Sequence, residues 1–306
     1  MSTTTETNLT IRRLTVRTGA EISCVDLRRL RNEEVAAIRQ ALLDHRVVFF
    51  REQDIGPAEQ IAFASLLGPL TRGHPTLPVT EGDPEVFDLD SYAGASANHW
   101  HTDVTFVEHP PAFSVLRAVV LPEVGGDTLW ANTVSAYQDL PADLRQLADG
   151  LRAVHSNGHD YGRVDLAALK GSLRPERLEH LKAFVSEVFE TEHPVVRTHP
   201  ETGEPSLLLG GFAHRLVGHN NTESVDLIRI LQSYATRPEN IVRWQWREGD
   251  VAVWDNRSTQ HYAIYDYGRE RRRMQRVTTA GVAAVGLDGL PSAALKGDAS
   301  LYYAAA

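Results

Sequence analysis

The sequence predicts a mainly β fold with flanking helices, of the double-stranded β-helix or jelly-roll kind. From Val86 onward, short alternating or apolar runs are separated by Gly, Pro and Asp, which is typical of strands joined by turns. Helical patterns are fewer, and they lie before these runs or between them. Many short strands with a few interspersed helices indicate a β core that the helices brace.

The predicted elements begin with two helices on either side of one strand. Apolar residues at helical spacing predict a helix over Asn32–His45, and a second helix begins with a proline and covers residues 57–67. Val47–Phe50 is the short apolar strand between them. Eight further strands are predicted in the segments VFDLD, SVLRAVVL, DTLWAN, PVVRTH, SLLLG, IVRWQW, DVAVWD and MQRVTTAG. Three bracing helices are predicted at residues 141–149, 178–189 and 223–235.

Length and composition restrict the class of protein. A chain of 306 residues can bury a full core, and we expect one domain over 1–306, with a disordered tail at 1–8 and a weakly ordered tail at 286–306. The 31 basic and 40 acidic residues give a net charge of −9, which argues against nucleic acid or an anionic membrane as a partner. Cys24 is the only cysteine, and no segment is apolar enough to span a membrane, so a cytoplasmic protein is expected.

His101 and Asp103 are the first candidates for chemistry. In NHWHTDVTF they are two residues apart, so on an extended strand both side chains point to the same face. An imidazole and a carboxylate suit Fe(II) once a third ligand completes a facial triad. His261 follows an apolar strand and is the best third candidate, because a jelly roll brings distant strands side by side. Since an isolated H-x-D pair is more often a hydrogen-bonded surface or core pair, the prediction depends on its context.

A basic segment, RERRRMQRVTT, supplies that context shortly after His261. Strand alternation places Arg272, Met274 and Arg276 on one face and Arg271, Arg273 and Gln275 on the other. We expect the second face to be exposed and the first to point inward. Fe²⁺ with one aspartate and a dianionic 2-oxo acid has a net charge of −1, so one buried arginine restores neutrality. The second arginine then requires a second, monoanionic ligand.

Eight segments spread over nearly the whole chain carry a family resemblance. They are RLTVRTGAEISCVDL, VVFFREQ, FASLLGPL, HWHTDVTF, GGDTLWANT, TEHPVVRTHPETGE, GDVAVWDNRSTQHYAIYDYG and RRRMQRVT. In this order they closely resemble the TauD/TfdA (taurine dioxygenase) family. The resemblance implies an Fe(II) enzyme with 2-oxoglutarate and O₂ as cosubstrates. Within the family, HPTLPVTEG and LLLGGFAHRLVGHN look most like the alkylsulfatase branch.

The resemblance also implies roles for eight residues. The iron ligands would be His101, Asp103 and His261, the residues that bind 2-oxoglutarate would be Thr128 and Arg272, and those that bind the substrate would be His74, Val104 and Arg276. In sulfonate and sulfate users of the family, the histidine and the arginine hold the sulfur oxyanion while the apolar residue packs beside it. Taken alone, His74 fits an ordinary turn and Thr128 an ordinary strand position.

The implied function is hydroxylation of a small anionic substrate. The preferred substrate is an alkyl sulfate, cleaved to aldehyde and sulfate with succinate and CO₂ as coproducts. A taurine or alkylsulfonate dioxygenase that releases sulfite and an amino-acid hydroxylase are alternatives. Two hypotheses assign the protein to a different functional class. One is a hydrolase that uses zinc or manganese, and the other is a jelly-roll binding protein without catalytic activity.

Two loops, residues 91–98 and 160–177, depart from the family pattern. We expect them to form a lid or part of the substrate pocket. Because members of the family are often dimers or tetramers, the resemblance also implies a homo-oligomer.

Overall fold

The structure is a computed structural model that describes residues 8–158 and 174–304. Its strands are β1 (Thr10–Arg13), β2 (Ala20–Ser23), β3 (Val47–Phe50), β4 (Phe87–Asp90), β5 (Phe113–Val120), β6 (Thr128–Asn132), β7 (Arg152–Ser156), β8 (Glu190–Pro194), β9 (Val196–Thr198), β10 (Pro205–Leu207), β11 (Ala213–Leu216), β12 (Ile241–Trp244), β13 (Val251–Asp255), β14 (Thr259–Ala263), β15 (Arg273–Thr278), β16 (Val285–Gly286) and β17 (Ala293–Lys296). Its helices are α1 (Asn32–His45), α2 (Pro57–Ser65), α3 (Thr133–Gln138), α4 (Ala142–Asp149), α5 (Pro175–Phe184), α6 (Asn221–Ala235) and α7 (Ser300–Tyr303).

Two sheets form the core of the fold. One has seven strands in the order β1-β2-β3-β13-β5-β15-β4, and the other has three in the order β12-β6-β14. Apolar side chains from both sheets pack between them. At the centre, the ring of Trp130 lies edge-on to Phe49 and Trp254, with centroid distances of 5.2 and 5.6 Å. This arrangement confirms the predicted jelly roll, although the sheets do not close into a barrel.

Helices and two smaller sheets cover this core. Helices α1 and α2 pack on the outer face of the large sheet, where Ile38, Leu42 and Phe63 meet Val48 and Phe50. On another side, α3, α4 and α6 share an apolar cluster with strands of the sheets β11-β7-β8-β17 and β10-β9-β16. Within the described ranges, no helix is long and apolar enough to cross a membrane.

The predicted elements agree with the structure best where one periodicity dominates. The bounds of α1 and β3 match the prediction. Helix α5 starts earlier than predicted, at Pro175, because proline is suited to the first helical turn, and it ends at Phe184 instead of residue 189. Helix α3 and strands such as β7, β11 and β14 were not predicted, since each is short and carries polar residues.

Two tails were predicted, one at each end of the chain. Residues 1–7 of the predicted N-terminal tail lie outside the described residues. The predicted weakly ordered tail at 286–306 contains β17, which pairs with β8, and α7, in which Tyr302 is only 2% exposed. Burial of this aromatic ring is the physical reason for the difference, because it fixes a segment whose composition alone suggests little structure.

Asp255, at the end of β13, is a fully buried carboxylate that forms hydrogen bonds with side chains of neighbouring segments. It accepts hydrogen bonds from His199 Nε2 at 3.0 Å and from Arg257 Nε at 2.8 Å and Nη2 at 2.7 Å. Burial alone would raise its pKa, but the charge of Arg257 and the bonds from Arg257 and His199 hold the pKa below the ordinary value.

We therefore expect Asp255→Asn to lower the free energy of unfolding at neutral pH by about 3–5 kcal/mol, as for one partner removed from a buried pair. Because the folded-state pKa is depressed, the carboxylate stabilises the fold fully above about pH 4, the value in unfolded chains, and this contribution is lost as the pH falls. Urea unfolding of both proteins at neutral pH and at about pH 3 measures this. An equal difference at both pH values would contradict the assignment.

Candidate functional site

His101, Asp103 and His261 lie together at one end of the space between the two sheets. The segment that contains His101 forms a bridge with β14, in which His101 N donates to His261 O at 3.1 Å and His261 N donates to His101 O at 2.8 Å. Asp103 Oδ1 is 3.9 Å from His101 Nε2 and 3.7 Å from His261 Nε2. All three side chains are buried, and their potential ligand atoms lie within 4.8 Å of one another. The structure thus brings together the three residues that the sequence singled out.

Neighbouring groups orient two of these side chains. His101 Nδ1 donates to the carbonyl oxygen of His99 at 2.9 Å, which leaves the lone pair of that ring at Nε2. Ser114 Oγ donates to Asp103 Oδ2 at 2.7 Å, and Asn256 Nδ2 donates to Ser114 Oγ at the same distance. Asp103 Oδ1 is therefore the carboxylate oxygen that faces the two imidazoles.

The protonation states suit a divalent metal. Burial lowers the pKa of His261 to about 4, and burial, then the His261 ring, lowers the pKa of His101 well below its ordinary value. Both rings are neutral at physiological pH, as metal ligands must be. Two neutral imidazole nitrogens and one carboxylate oxygen on one side of a shared point are the donor set of a facial triad, so the residues fit Fe(II).

A first cavity, here named the Thr128 cavity, opens beside the triad. Its lining includes His101, Thr128, Trp254, His261, Arg272 and Arg276. Thr128 Oγ1 accepts from Trp246 Nε1 at 2.9 Å and from Arg272 Nη2 at 3.1 Å. Because these donors engage its lone pairs, the hydroxyl proton is available to donate to a ligand.

Arg272 supplies one of the positive charges that line the Thr128 cavity. Its Nε donates to Gly126 O at 2.9 Å, and Gly126 allows the close approach, since a Cβ there would lie 3.1 Å from Arg272 Cδ. The side chain is buried, and in the described part of the chain no carboxylate forms an ion pair with it. A buried guanidinium without a carboxylate partner favours an anionic ligand.

A second cavity, the His74 cavity, adjoins the first, and His101 and Arg276 line both. Aromatic rings form much of its wall, and the lining includes His74, Phe87, Val104, Phe106, Phe184 and Phe212. His74 Nδ1 accepts backbone N–H groups of Thr76 and Leu77, each at 3.1 Å, so the ring proton resides on Nε2. Burial, and then the charge of Arg276, lower the pKa of His74 well below its ordinary value. His74 is thus a neutral hydrogen-bond donor.

Arg276 lines both cavities and contacts the triad. Its Nη1 donates to Asp103 Oδ1, the oxygen that faces the two histidines. As predicted from alternation, Arg272, Met274 and Arg276 point inward, and each is at most 8% exposed.

The opposite face of the basic segment differs from the expectation of an exposed run. Arg271 and Arg273 form ion pairs, each at 2.5 Å, with acidic residues of β4. Gln275 is buried under α2, where Gln60 Nε2 donates to its carbonyl oxygen at 2.9 Å. Neighbouring elements, which the sequence of this strand alone does not reveal, account for the difference.

Val104 connects the triad to the His74 cavity. Its φ of 52° lies in the left-handed region, which is a genuine outlier for a β-branched residue. Such a conformation costs on the order of 1–3 kcal/mol, and the surrounding packing holds it, with the side chain only 3% exposed. Val104 therefore has a fixed position beside Asp103, which precedes it.

The two loops expected to cover the pocket are described in part. In the first, Ala95, Ser96 and Ala97 line both cavities, and we name them the shared roof. Of the second, residues 160–173 lie outside the described residues. The part that follows begins α5, and Arg177 Nη1 donates to Gly94 O at 2.5 Å, next to the shared roof.

Sequence reasoning missed several residues of the site. Among them are Ser114, His180, Phe212, Trp254 and Asn256. Ser114 and Asn256 had a signal that could have found them, because each is a polar residue next to or inside an apolar strand. His180 and Phe212 had none, since their place depends on how distant segments pack.

A jelly roll with two histidines and one carboxylate beside a buried, arginine-lined cavity defines the class of non-haem iron oxygenases that use a 2-oxo acid. The chain belongs to the TauD/TfdA family, because the family model "Taurine catabolism dioxygenase TauD, TfdA family" matches residues 10–278. It is accordingly an Fe(II)- and 2-oxoglutarate-dependent dioxygenase, which uses O₂ and acts on a small organic substrate.

Two relatives are similar over most of their length. The alkylsulfatase of Acinetobacter baylyi is 54% identical over 285 residues, which are 92% of this chain and 88% of that protein. The alpha-ketoglutarate-dependent sulfate ester dioxygenase of Pseudomonas putida is 52% identical over 276 residues, 89% of this chain and 90% of that protein. The crystal structure of a taurine dioxygenase from Burkholderia xenovorans has a TM-score of 0.80 and 39% identity, and the match covers 97% of this chain and 99% of that one.

Proposed function

We propose that this dioxygenase cleaves alkyl sulfate esters oxidatively. In this proposal His101, Asp103 and His261 hold the iron, Thr128 and Arg272 bind the distal carboxylate of 2-oxoglutarate, and His74, Val104 and Arg276 bind the substrate. Two relatives above 50% identity, whose names describe an alkylsulfatase and a sulfate ester dioxygenase, support this substrate class.

The observation that carries the proposal is the composition of the His74 cavity. Arg276 offers a positive charge and His74 a neutral N–H donor at the end near the metal ligands, which suits a monoanionic sulfate group. Phe87, Phe106 and Phe184 pack against the His74 ring and form an apolar wall, which suits a hydrocarbon chain.

When bound, iron with 2-oxoglutarate supplies the oxidising chemistry that hydroxylates an unactivated carbon. The side chains position the substrate for it: Arg276 and His74 hold the sulfate, and Val104 packs beside it, so that the carbon bearing the ester oxygen faces the triad. Hydroxylation there gives an unstable hemiacetal sulfate, in which the C–O bond to sulfate breaks to form an aldehyde. The alkyl sulfate, O₂ and 2-oxoglutarate thus become aldehyde, hydrogen sulfate, succinate and CO₂.

The alternative substrates fit this cavity less well. Taurine and free amino acids carry an ammonium group, which favours a carboxylate nearby. Among the described lining residues the only acidic one is Asp103, and it is engaged by Ser114 and Arg276. An alkylsulfonate without an ammonium group is also a monoanion and satisfies the same contacts, so the released anion distinguishes it from a sulfate ester.

The deciding experiment is anaerobic reconstitution with Fe(II), followed by addition of O₂ and 2-oxoglutarate with a panel of alkyl sulfates, alkylsulfonates, taurine and amino acids. We expect succinate to form in equal amount with sulfate from the alkyl sulfates. Succinate coupled to sulfite, or to a hydroxylated amino acid, would replace the proposed substrate. A metal hydrolase would release sulfate without O₂ or 2-oxoglutarate.

Arg276→Leu tests the proposed substrate site. We expect the KM for an alkyl sulfate to rise by roughly 30-fold or more, because loss of one partner of a buried charge pair costs about 2–5 kcal/mol. The KM for 2-oxoglutarate should rise much less. Steady-state succinate assays measure both constants, with Arg273→Leu, on the outer face of the same strand, as the control. Equal damage to both constants would contradict separate sites for the two anions.

The remaining proposals concern the whole protein. We propose one domain that forms a dimer or tetramer in the cytoplasm and binds no nucleic acid. Exposed apolar side chains towards the C-terminus support an oligomer, and they include Val282, Leu287, Leu290, Leu295 and Leu301. Light scattering on the purified protein tests the oligomer, and a monomer would refute it.

A further inference from the structure

We propose that His180 is a specificity-determining residue, which donates a hydrogen bond to the sulfate group and thereby favours three-oxygen sulfur anions over carboxylates. This inference rests on the proposed function. It adds to it a residue of α5 that no sequence motif indicated.

The first observation is the position of His180 in the His74 cavity. Its side chain lines this cavity together with His74 and Arg276, and the three are close enough that His180 and Arg276 both perturb the pKa of His74. Phe184 follows His180 by four residues and therefore lies on the same face of α5. The Phe184 ring packs against the His74 ring with a centroid distance of 5.3 Å, so this face of the helix points at the anion-binding end.

The second observation is that α5 is fixed against the shared roof. Arg177 Nη1 donates to Gly94 O at 2.5 Å, and a Cβ at Gly94 would lie only 2.7 Å from Arg177 Cα. This close approach requires glycine, whose φ of 88° is also in the left-handed region. The helix therefore presents His180 from a fixed position.

The third observation concerns the chemistry of the ring. Burial, and then the charge of Arg177, lower the pKa of His180 to about 4, so the ring is neutral and carries one N–H donor at physiological pH. Within residues 8–158 and 174–304 its ring has no hydrogen-bond partner. The N–H is therefore available to a ligand in the cavity.

A buried sulfate needs such a donor. Its three terminal oxygens accept several hydrogen bonds in total, whereas His74 offers one N–H and Arg276 is shared between the anion and Asp103, to which its Nη1 donates. A carboxylate has one oxygen fewer, so its binding depends less on a third side chain. Without a donor for the third oxygen, the bound sulfate has an unsatisfied buried acceptor. The loss of this donor therefore weakens sulfate binding more than carboxylate binding.

The test compares His180→Phe, which removes the donor, with His180→Asn, which keeps an N–H. His219→Phe, a histidine replacement at the surface, is the matched control. Binding of a short alkyl sulfate, and of the carboxylate of equal chain length, is measured by calorimetry on full-length protein loaded with Mn(II) and 2-oxoglutarate without O₂. KM and kcat for the alkyl sulfate come from succinate release with Fe(II). Thermal melting shows which variants fold, and His180→Leu replaces His180→Phe if the latter does not.

We expect His180→Phe to weaken alkyl sulfate binding and raise its KM about tenfold, which is 1.4 kcal/mol, while kcat changes by less than about twofold. The carboxylate and 2-oxoglutarate affinities should change by less than about threefold, and His180→Asn should keep most of the sulfate affinity. If His180→Phe binds the alkyl sulfate as tightly as the wild type, or loses equal affinity for the sulfate, the carboxylate and 2-oxoglutarate, the inference about His180 is wrong. The proposed function would not be affected by either result. A wild-type protein that neither binds nor oxidises alkyl sulfates would overturn the proposed function and the inference with it.

Discussion

Asp103→Asn should bind metal more weakly than any other single variant of this site and should lose its coupled turnover. The asparagine oxygen can still accept from Ser114, but the site loses its one anionic donor and the charge that faces both histidines. Loss of a group that only orients a ligand costs about 10–100-fold in metal affinity or activity, so loss of the ligand itself should exceed about 100-fold.

Ser114→Ala provides the graded comparison. It leaves the three ligands in place and removes the hydrogen bond to Asp103 Oδ2, so we expect the smaller loss of about 10–100-fold. Asp88→Asn, an acidic residue of the same sheet that pairs with Arg273 outside the cavities, should bind metal normally. Calorimetry with Mn(II) and succinate release with Fe(II) measure the series. Unchanged 2-oxoglutarate consumption in Asp103→Asn would refute the triad.

Arg272→Leu should raise the concentration of 2-oxoglutarate needed for half-maximal rate by roughly 30-fold to several thousand-fold. This range corresponds to the about 2–5 kcal/mol lost when one partner of a buried charge pair is removed. The guanidinium is fixed by Gly126 O and Thr128 Oγ1, so little rearrangement can compensate for it. Arg272→Lys should recover only part of the affinity, because the ammonium group cannot form the two parallel bonds of a guanidinium.

Thr128→Val tests the hydroxyl separately. It keeps the shape of the side chain and removes one donor to a charged ligand, which typically costs about 1.5–3 kcal/mol. The KM for the alkyl sulfate should change little in all three variants, since Arg272 and Thr128 do not line the His74 cavity. Normal 2-oxoglutarate affinity in Arg272→Leu would show that this arginine does not bind the cosubstrate.

The sequence predicted those features that depend on short-range spacing. Strand alternation was enough to turn Arg272 and Arg276 inward. His101 and Asp103 lie together as expected, but not on the extended strand from which this was predicted, because the chain forms only a bridge at His101 and turns from Asp103. The fold class followed from many short strands of similar length. The pairing of His261 with the other two ligands could be expected only from the family resemblance and from the general return of strands in a jelly roll.

Features that depend on packing between distant segments could not be predicted. His180 is on a predicted helix, but which way its ring points is decided by the contact of Arg177 with Gly94, more than 80 residues away along the chain. The ion pairs of Arg271 and Arg273 similarly require β4 as a neighbour of β15, and that pairing is a property of the sheet order.

The contact between Arg276 and Asp103 couples the binding of a metal cation to the binding of an anion. The guanidinium donates to the same carboxylate oxygen that faces both imidazoles, so it competes with a cation for that oxygen. An anion that draws Arg276 away from Asp103 therefore favours metal binding, and by linkage the metal favours anion binding by the same factor. Titration of Mn(II) with and without inorganic sulfate would measure this factor. We therefore expect the protein to bind its metal more tightly when an anion that engages Arg276 is present.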